Sequence, residues 1–225
     1  MDTIDWTKYV DAIWCISYIK YKNRREECEK ELEFMDILHS PIFNYYYTFT
    51  NKFEYMVLDQ VKPAFRDYHN HRRDIALNVM MAYHNLLRMA QDFGYKKVLI
   101  VEDDLRFVRD KQRMIDTLEH LPEEWDYIQF DKIQNHENYK MLSSLEPGPY
   151  FNANYTGGYW GTAFCMWGNK GIDVAVEVFE KDMVVSDYVL ANRDDPRLNG
   201  LKRFVPTRHL MWQADQHECY FNRLY

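Results

Sequence analysis

A short apolar run that stops at three consecutive carboxylates constrains the fold of this chain more than any other stretch. The run covers residues 98–101, and Glu102, Asp103 and Asp104 follow it directly. An apolar run of this length is typical of a strand that is buried on both faces of a sheet. The sequence therefore predicts a core strand whose carboxyl end carries three acidic side chains.

The position of these carboxylates suggests a ligand site. In an open α/β sheet, ligands bind at the carboxyl ends of the strands. Clustered carboxylates need a cation or hydrogen-bond donors to offset their mutual repulsion, and a hard divalent cation that also binds a diphosphate is the obvious candidate. The alternative is a solvated acidic turn that ends a core strand, and the tripeptide alone does not separate the two.

Helices and strands alternate around this strand. Amphipathic spacing predicts a long helix over residues 73–93, which Gly94 ends in the manner of a C′ glycine. Asp110 is placed to cap a second helix that ends before Pro122, and residues 125–130 are strand-like. This alternation predicts an α/β fold with a mostly parallel central sheet flanked by helices. A chain of 225 residues, 47% hydrophobic, suits a single domain over residues 1–225.

Other elements follow from local patterns. Residues 11–19 are predicted to form a first buried strand, and the spacing becomes helical from Asn23, which is placed to cap that helix. Aromatic, β-prone residues predict strands at 43–49 and 53–58. Residues 163–167 are predicted to form a strand that leads into a further helix.

Composition excludes several classes of protein. The net charge is −7 and no long basic run occurs, so no nucleic-acid surface is predicted. Cys15, Cys28, Cys165 and Cys219 lie far apart, which favours free thiols over a zinc site or a disulfide framework. No secretory signal pattern and no long apolar span is visible, so a cytoplasmic location is expected, which leaves peripheral membrane contact open.

Three further segments carry candidate binding or catalytic residues. Residues 18–25 join the first strand to the first helix, and their cations and rings suit a nucleotide as well as a solvated helix start. Residues 155–162 interleave glycines with aromatic and hydroxyl side chains, which suits either a ligand wall or a bulged strand. Asp187 lies in the first turn of a predicted helix, where the helix dipole favours an acid in any case.

The tail and the long helix add further candidates. The tail contains His209, Asp215 and His217, which can complete a metal site or be solvated. His84 lies within the predicted long helix, where a structural role is the commoner one.

Taken in order, these motifs resemble the family 25 glycosyltransferases, which include lipooligosaccharide and collagen galactosyltransferases. The resemblance covers roughly residues 12–217 and rests on motif order. The motifs that carry it are ISYIKYKNRRE, AYHNLL before VLIVEDD, LPEEWDYIQF, GTAFCMWGNKG and VSDYVL. This chain departs from the family pattern at Tyr83, where a Ser precedes the His in that family, and in the polar insertion at 133–150.

The resemblance implies a single Rossmann-like domain of the GT-A type with a DXD-like metal motif. It implies a transferase that uses Mn²⁺ or Mg²⁺ to move a sugar, with a UDP-hexose expected as the donor, to a hydroxyl of a glycan or glycoconjugate. An inverting outcome is expected, with Asp187 as the base that deprotonates the acceptor.

On this reading, the metal ligands are Asp104, Glu102 and His217, with His209 and Asp215 as alternatives to His217. The residues expected to contact the nucleotide sugar are Ser17, Arg24, Arg25, His84, Glu102, Asp103, Gly158, Gly161 and Thr162. Two other functions remain open. Carboxylates after a strand also suit a metal-dependent nucleotidyltransferase or phosphohydrolase, and an inactive sugar-binding module can have the same fold.

Overall fold

The computed structural model describes residues 3–48, 70–130, 151–152, 162–182, 196–208 and 210–213. After a short 3₁₀ turn at Trp6–Lys8, the described elements are, in chain order, β1 (Ala12–Tyr18), α1 (Lys22–Phe34), β2 (Phe43–Thr48), α2 (Asn70–Phe93), β3 (Lys97–Glu102), β4 (Leu105–Phe107), α3 (Lys111–Glu119), β5 (Tyr127–Gln129), β6 (Phe151–Asn152), β7 (Phe164–Gly168), α4 (Asn169–Asp182), β8 (Arg203–Pro206) and β9 (Met211–Gln213).

Seven of the described strands form one sheet, in the order β2-β1-β3-β7-β5-β8-β6. β1 pairs in parallel with both β2 and β3, and β5 pairs in parallel with β8. β7 lies antiparallel between β3 and β5, and the two-residue strand β6 is antiparallel to β8. Because only β7 and β6 run against the other strands, the predicted α/β fold with a mostly parallel sheet is confirmed.

Helices cover both faces of this sheet. Successive side chains of a strand point to opposite faces, so Trp14 of β1 and Ile100 of β3 join the core beneath α2 and α4. Cys15 and Leu99, their neighbours in sequence, join a second core with α1 and α3. Both core strands are therefore buried on both faces, as the apolar run at 98–101 predicts.

Local signals explain where several helices begin and end. Gly94 has φ +72° after the last residue of α2, which is the left-handed conformation of a C′ glycine. Asp110 caps α3, and its Oδ1 accepts a hydrogen bond from the backbone N–H of Arg113 at 3.1 Å. The predicted cap at Asn23 is wrong, because α1 begins at Lys22 with Tyr21 in the N-cap position.

A small second sheet was not predicted from the sequence. β4 pairs antiparallel with β9, and Leu105 lies opposite Gln213. Three-residue strands are too short for a recognisable alternation of apolar and polar side chains. Because Leu105 directly follows the three carboxylates, this pairing brings the end of β9 close to them.

None of the helices in the described ranges combines the length and the apolar character that crossing a membrane requires. The strand predicted at 53–58 and the loop predicted at 133–150 lie outside the described residues.

Candidate functional site

The three carboxylates lie where the carboxyl ends of β1 and β3 meet. Glu102 is the last residue of β3 and pairs with Ile16 of β1, while Asp103 and Asp104 form the turn that follows. Because β1 runs parallel to β3, Ser17 and the first turn of α1 come to the same edge of the sheet. The side chains of Asp103 and Asp104 are only 5% and 12% exposed.

One guanidinium holds both aspartates. Nε of Arg24 lies 2.5 Å from Oδ1 of Asp103, and Nη2 lies 3.1 Å from Oδ2 of Asp104. The hydroxyl of Ser17 donates to Oδ2 of Asp103 at 2.6 Å. Both oxygens of Asp103 are thus engaged by protein groups, and the charge of the two neighbouring carboxylates is partly offset by a cation.

Glu102 is oriented by a different set of partners. The hydroxyl of Thr162 donates to Oε1 of Glu102 at 2.5 Å. The hydroxyl of Tyr83 donates to the carbonyl oxygen of Thr162 and lies 3.5 Å from the same carboxylate oxygen. Thr162 is the last residue of the predicted glycine-aromatic segment, so that end of the segment does reach the carboxylates.

Tyr83 is a site residue that the sequence reasoning did not assign. Its side chain is fully buried. A buried tyrosine needs a hydrogen-bond partner for its hydroxyl, which is the signal in the sequence that could have indicated a nearby polar site. Tyr83 connects α2 to both Glu102 and Thr162.

Arg25 has a role different from that of Arg24. Its Nη1 donates to the carbonyl oxygens of Tyr18 and Ile19 at 3.2 and 3.1 Å, and lies 3.5 Å from Oγ of Ser17. The guanidinium also lies over the ring of Tyr47, 5.3 Å from its centroid. Arg25 therefore fixes the connection between β1 and α1.

His84 lies between two helices. Its Nε2 is 3.5 Å from Oε1 of Glu180 in α4, and its ring packs edge-on against Phe179. Within the described part of the chain, none of these contacts is with the three carboxylates. The structure thus brings together Ser17, Arg24, Glu102, Asp103, Asp104 and Thr162, with Arg25 beside them, but does not bring His84 into that group.

Six of the predicted residues lie outside the described part of the chain: Gly158, Gly161, Asp187, His209, Asp215 and His217.

The buried thiol of Cys15 lies close enough to Asp103 and Asp104 for their negative charge to affect its pKa. The hydrogen bond between Cys15 and Cys28, burial, and the negative charges of Asp103 and Asp104 all raise the pKa of Cys15 well above its usual value. The thiol is therefore protonated at neutral pH, and Cys15 is suited to packing rather than to binding a metal as a thiolate.

The carboxylate oxygens at this edge are of the type that a hard divalent cation prefers. No group of three or more His, Cys, Asp or Glu side chains within the described ranges is arranged to hold a metal by itself. Mg²⁺, however, is commonly bound through one or two carboxylates, with phosphate oxygens and water as the other ligands. The guanidinium of Arg24 lies between Asp103 and Asp104 and offsets part of their charge. Glu102 and Asp104 supply the oxygen donors that such an ion prefers.

No family model matches this chain, and no curated protein matches it. Among solved structures, the chain is similar to a glycosyltransferase involved in the glycosylation of the major capsid of PBCV-1. The two chains are 10% identical with a TM-score of 0.46, over 90% of this chain and 92% of the other.

Proposed function

We propose that this chain is a metal-dependent glycosyltransferase of the GT-A type. It would move a hexose from a nucleotide-diphosphate donor, with UDP-hexose as the first candidate, to a hydroxyl of a glycan or glycoconjugate. The observation that carries the proposal is the cluster at the carboxyl ends of β1 and β3, where Asp103 and Asp104 share the guanidinium of Arg24. This edge of the sheet is where an α/β fold binds nucleotides.

Each carboxylate of the cluster has a separate task in this proposal. Asp104 would bind the metal directly, and Glu102 would contact the metal through water or bind the ribose. Asp103, whose oxygens are held by Arg24 and Ser17, would support the geometry of the turn. The bound cation would neutralise the charge that develops on the departing diphosphate.

The pairing of β4 with β9 supports a late metal ligand. Gln213 lies opposite Leu105, and His217 follows Gln213 by four residues in the sequence. Asp215 follows Gln213 by two residues, so both His217 and Asp215 stay candidates for completing the metal shell.

Asp187 is proposed as the base that removes the proton from the acceptor hydroxyl. An inverting transfer needs a carboxylate on the face of the sugar opposite the leaving group. We expect Asp187→Asn to lower turnover far more than donor affinity, in assays of initial rate and of donor binding. An equal loss of both would instead indicate that Asp187 only caps its helix.

A panel of nucleotide sugars tests the proposed function as a whole. The protein is incubated with each sugar nucleotide and Mn²⁺, while thermal stability and slow donor hydrolysis are followed. A glycosyltransferase is stabilised by one donor and hydrolyses it slowly. An inactive sugar-binding module is stabilised without hydrolysis, and a phosphohydrolase cleaves without sugar preference, so either result would contradict the proposal.

A further inference from the structure

We infer that Arg24 is an internal counter-ion that holds the cation position beside Asp103 and Asp104 until a metal and a diphosphate bind together. The inference rests on the proposed function and assigns a regulatory step to the same site. Arg24 thereby makes metal binding depend on nucleotide binding. A binding site without such a residue would take up the metal alone.

The first argument is the cost of two adjacent buried carboxylates. The side chains of Asp103 and Asp104 are almost fully removed from water, and like charges this close together repel each other. Ser17 donates a hydrogen bond to Asp103. The guanidinium of Arg24 spans both aspartates, so its positive charge offsets part of their repulsion.

The second argument is that Arg24 and a metal compete. Nη2 of Arg24 lies 3.1 Å from Oδ2 of Asp104, which is the carboxylate proposed to bind the metal. A divalent cation on that carboxylate would lie beside a like charge in a site with little water. The guanidinium must therefore withdraw from Asp104 before the metal can bind tightly.

The third argument is that the side chain of Arg24 reaches the solvent-accessible edge of the site. It is 34% exposed and starts from the third residue of α1, at the helix start. A diphosphate bound at this edge would supply new oxygen acceptors for the guanidinium. Arg25 is engaged differently, because its guanidinium donates to the carbonyl oxygens of Tyr18 and Ile19.

The test compares Mn²⁺ binding to the full chain with and without UDP. Free Mn²⁺ is measured by electron paramagnetic resonance for wild type, Arg24→Gln and Arg24→Lys. We expect wild type to bind Mn²⁺ weakly alone and much more tightly with UDP. In Arg24→Gln, binding of Mn²⁺ alone should tighten by about ten- to a hundredfold, the range that one charge-assisted hydrogen bond is worth. The ratio of affinities with and without UDP should fall correspondingly.

Lys22→Gln is the matched control. It removes one positive charge from the same turn of α1, and the side chain of Lys22 is 77% exposed and pairs with Glu26. This variant should keep the wild-type ratio. Arg24→Lys keeps the charge but not the planar fork, so it should fold even if Arg24→Gln does not, and its Mn²⁺ affinity should lie between wild type and Arg24→Gln.

Two outcomes would overturn the inference, and they differ in what they say about function. If wild type binds Mn²⁺ with UDP but both Arg24 variants bind Mn²⁺ alone no more tightly than wild type, Arg24 is not a counter-ion and the proposed function stands. If no form binds Mn²⁺ even with UDP, the metal site fails together with this inference.

Discussion

The two ends of β1 and β3 use acidic side chains in different ways. At the amino ends, the carboxylate of Asp11 accepts hydrogen bonds from the backbone N–H groups of Lys96 and Lys97 at 2.6 and 2.9 Å. At the carboxyl ends, Asp103 and Asp104 share a side-chain cation. Backbone donors are permanent partners, whereas a guanidinium can be exchanged for another cation. The same residue type thus fixes the backbone of the sheet at one end and is proposed to bind a ligand at the other.

Aromatic side chains mark the amino end instead. A cavity of about 370 Å³ lies beside the starts of β1 and β2, with Trp14, Tyr46, Phe93 and Tyr95 among its lining residues. Asp11 also lines this cavity, but its carboxylate is committed to the start of β3. We therefore assign the proposed diphosphate site to the carboxyl end, where Asp103 and Asp104 share the guanidinium of Arg24.

The largest expected effect is at the carboxyl end. Asp104→Ala should lower Mn²⁺-dependent turnover of the donor by at least about a hundredfold, because it removes the proposed metal ligand. Arg24 can still pair with Asp103, so the variant should fold, as circular dichroism would check. Unchanged turnover in a folded variant would remove Asp104 from the site.

At the amino end, Asp11→Ala should affect stability rather than chemistry. It removes two hydrogen bonds between a charged acceptor and backbone donors at an exposed position, so we expect about 1–2 kcal/mol less free energy of unfolding in urea. Donor affinity measured below the unfolding transition should stay at the wild-type value. A large loss of donor affinity would mean that the amino end also takes part in donor binding, which would contradict the proposed difference between the two ends.

A smaller effect is expected from the partners of Glu102. Thr162→Val removes the hydroxyl that donates to Glu102 and should weaken Mn²⁺-dependent donor binding severalfold, roughly the worth of one hydrogen bond. Thr117→Val is the matched control, because that buried hydroxyl donates to the carbonyl oxygen of Arg113 within α3. Calorimetric titration with donor should distinguish the two variants, and identical affinities would mean that Glu102 does not need Thr162.

The smallest effect is expected in the aromatic cavity. Phe93 is 63% exposed at the end of α2, so Phe93→Ser should change the free energy of unfolding by no more than about 0.5 kcal/mol. Donor hydrolysis with Mn²⁺ should be unaffected. A drop in hydrolysis as large as that of Asp104→Ala would indicate that the donor binds in the cavity at the amino end, which would contradict the proposed site.

Patterns within a few residues determined much of this protein from the sequence alone. The run at 98–101, Gly94 after α2 and Asp110 before α3 specify their elements locally, because burial, a left-handed turn and a cap each depend on near neighbours. The carboxylates at the end of β3 were recognised in the same way. The family assignment, the metal and the roles of Asp187 and His217 stay predictions.

Only the tertiary structure decided which residues meet. Ser17 and Asp103 are 86 positions apart in the sequence, and Tyr83 and Thr162 are 79 apart, so no local pattern encodes these pairs. No local pattern encodes the antiparallel orientation of β7 or the pairing of β4 with β9 either. Neighbouring Arg24 and Arg25 look equivalent in the sequence. They differ because the fold brings Arg24 next to carboxylates and Arg25 next to backbone carbonyl oxygens.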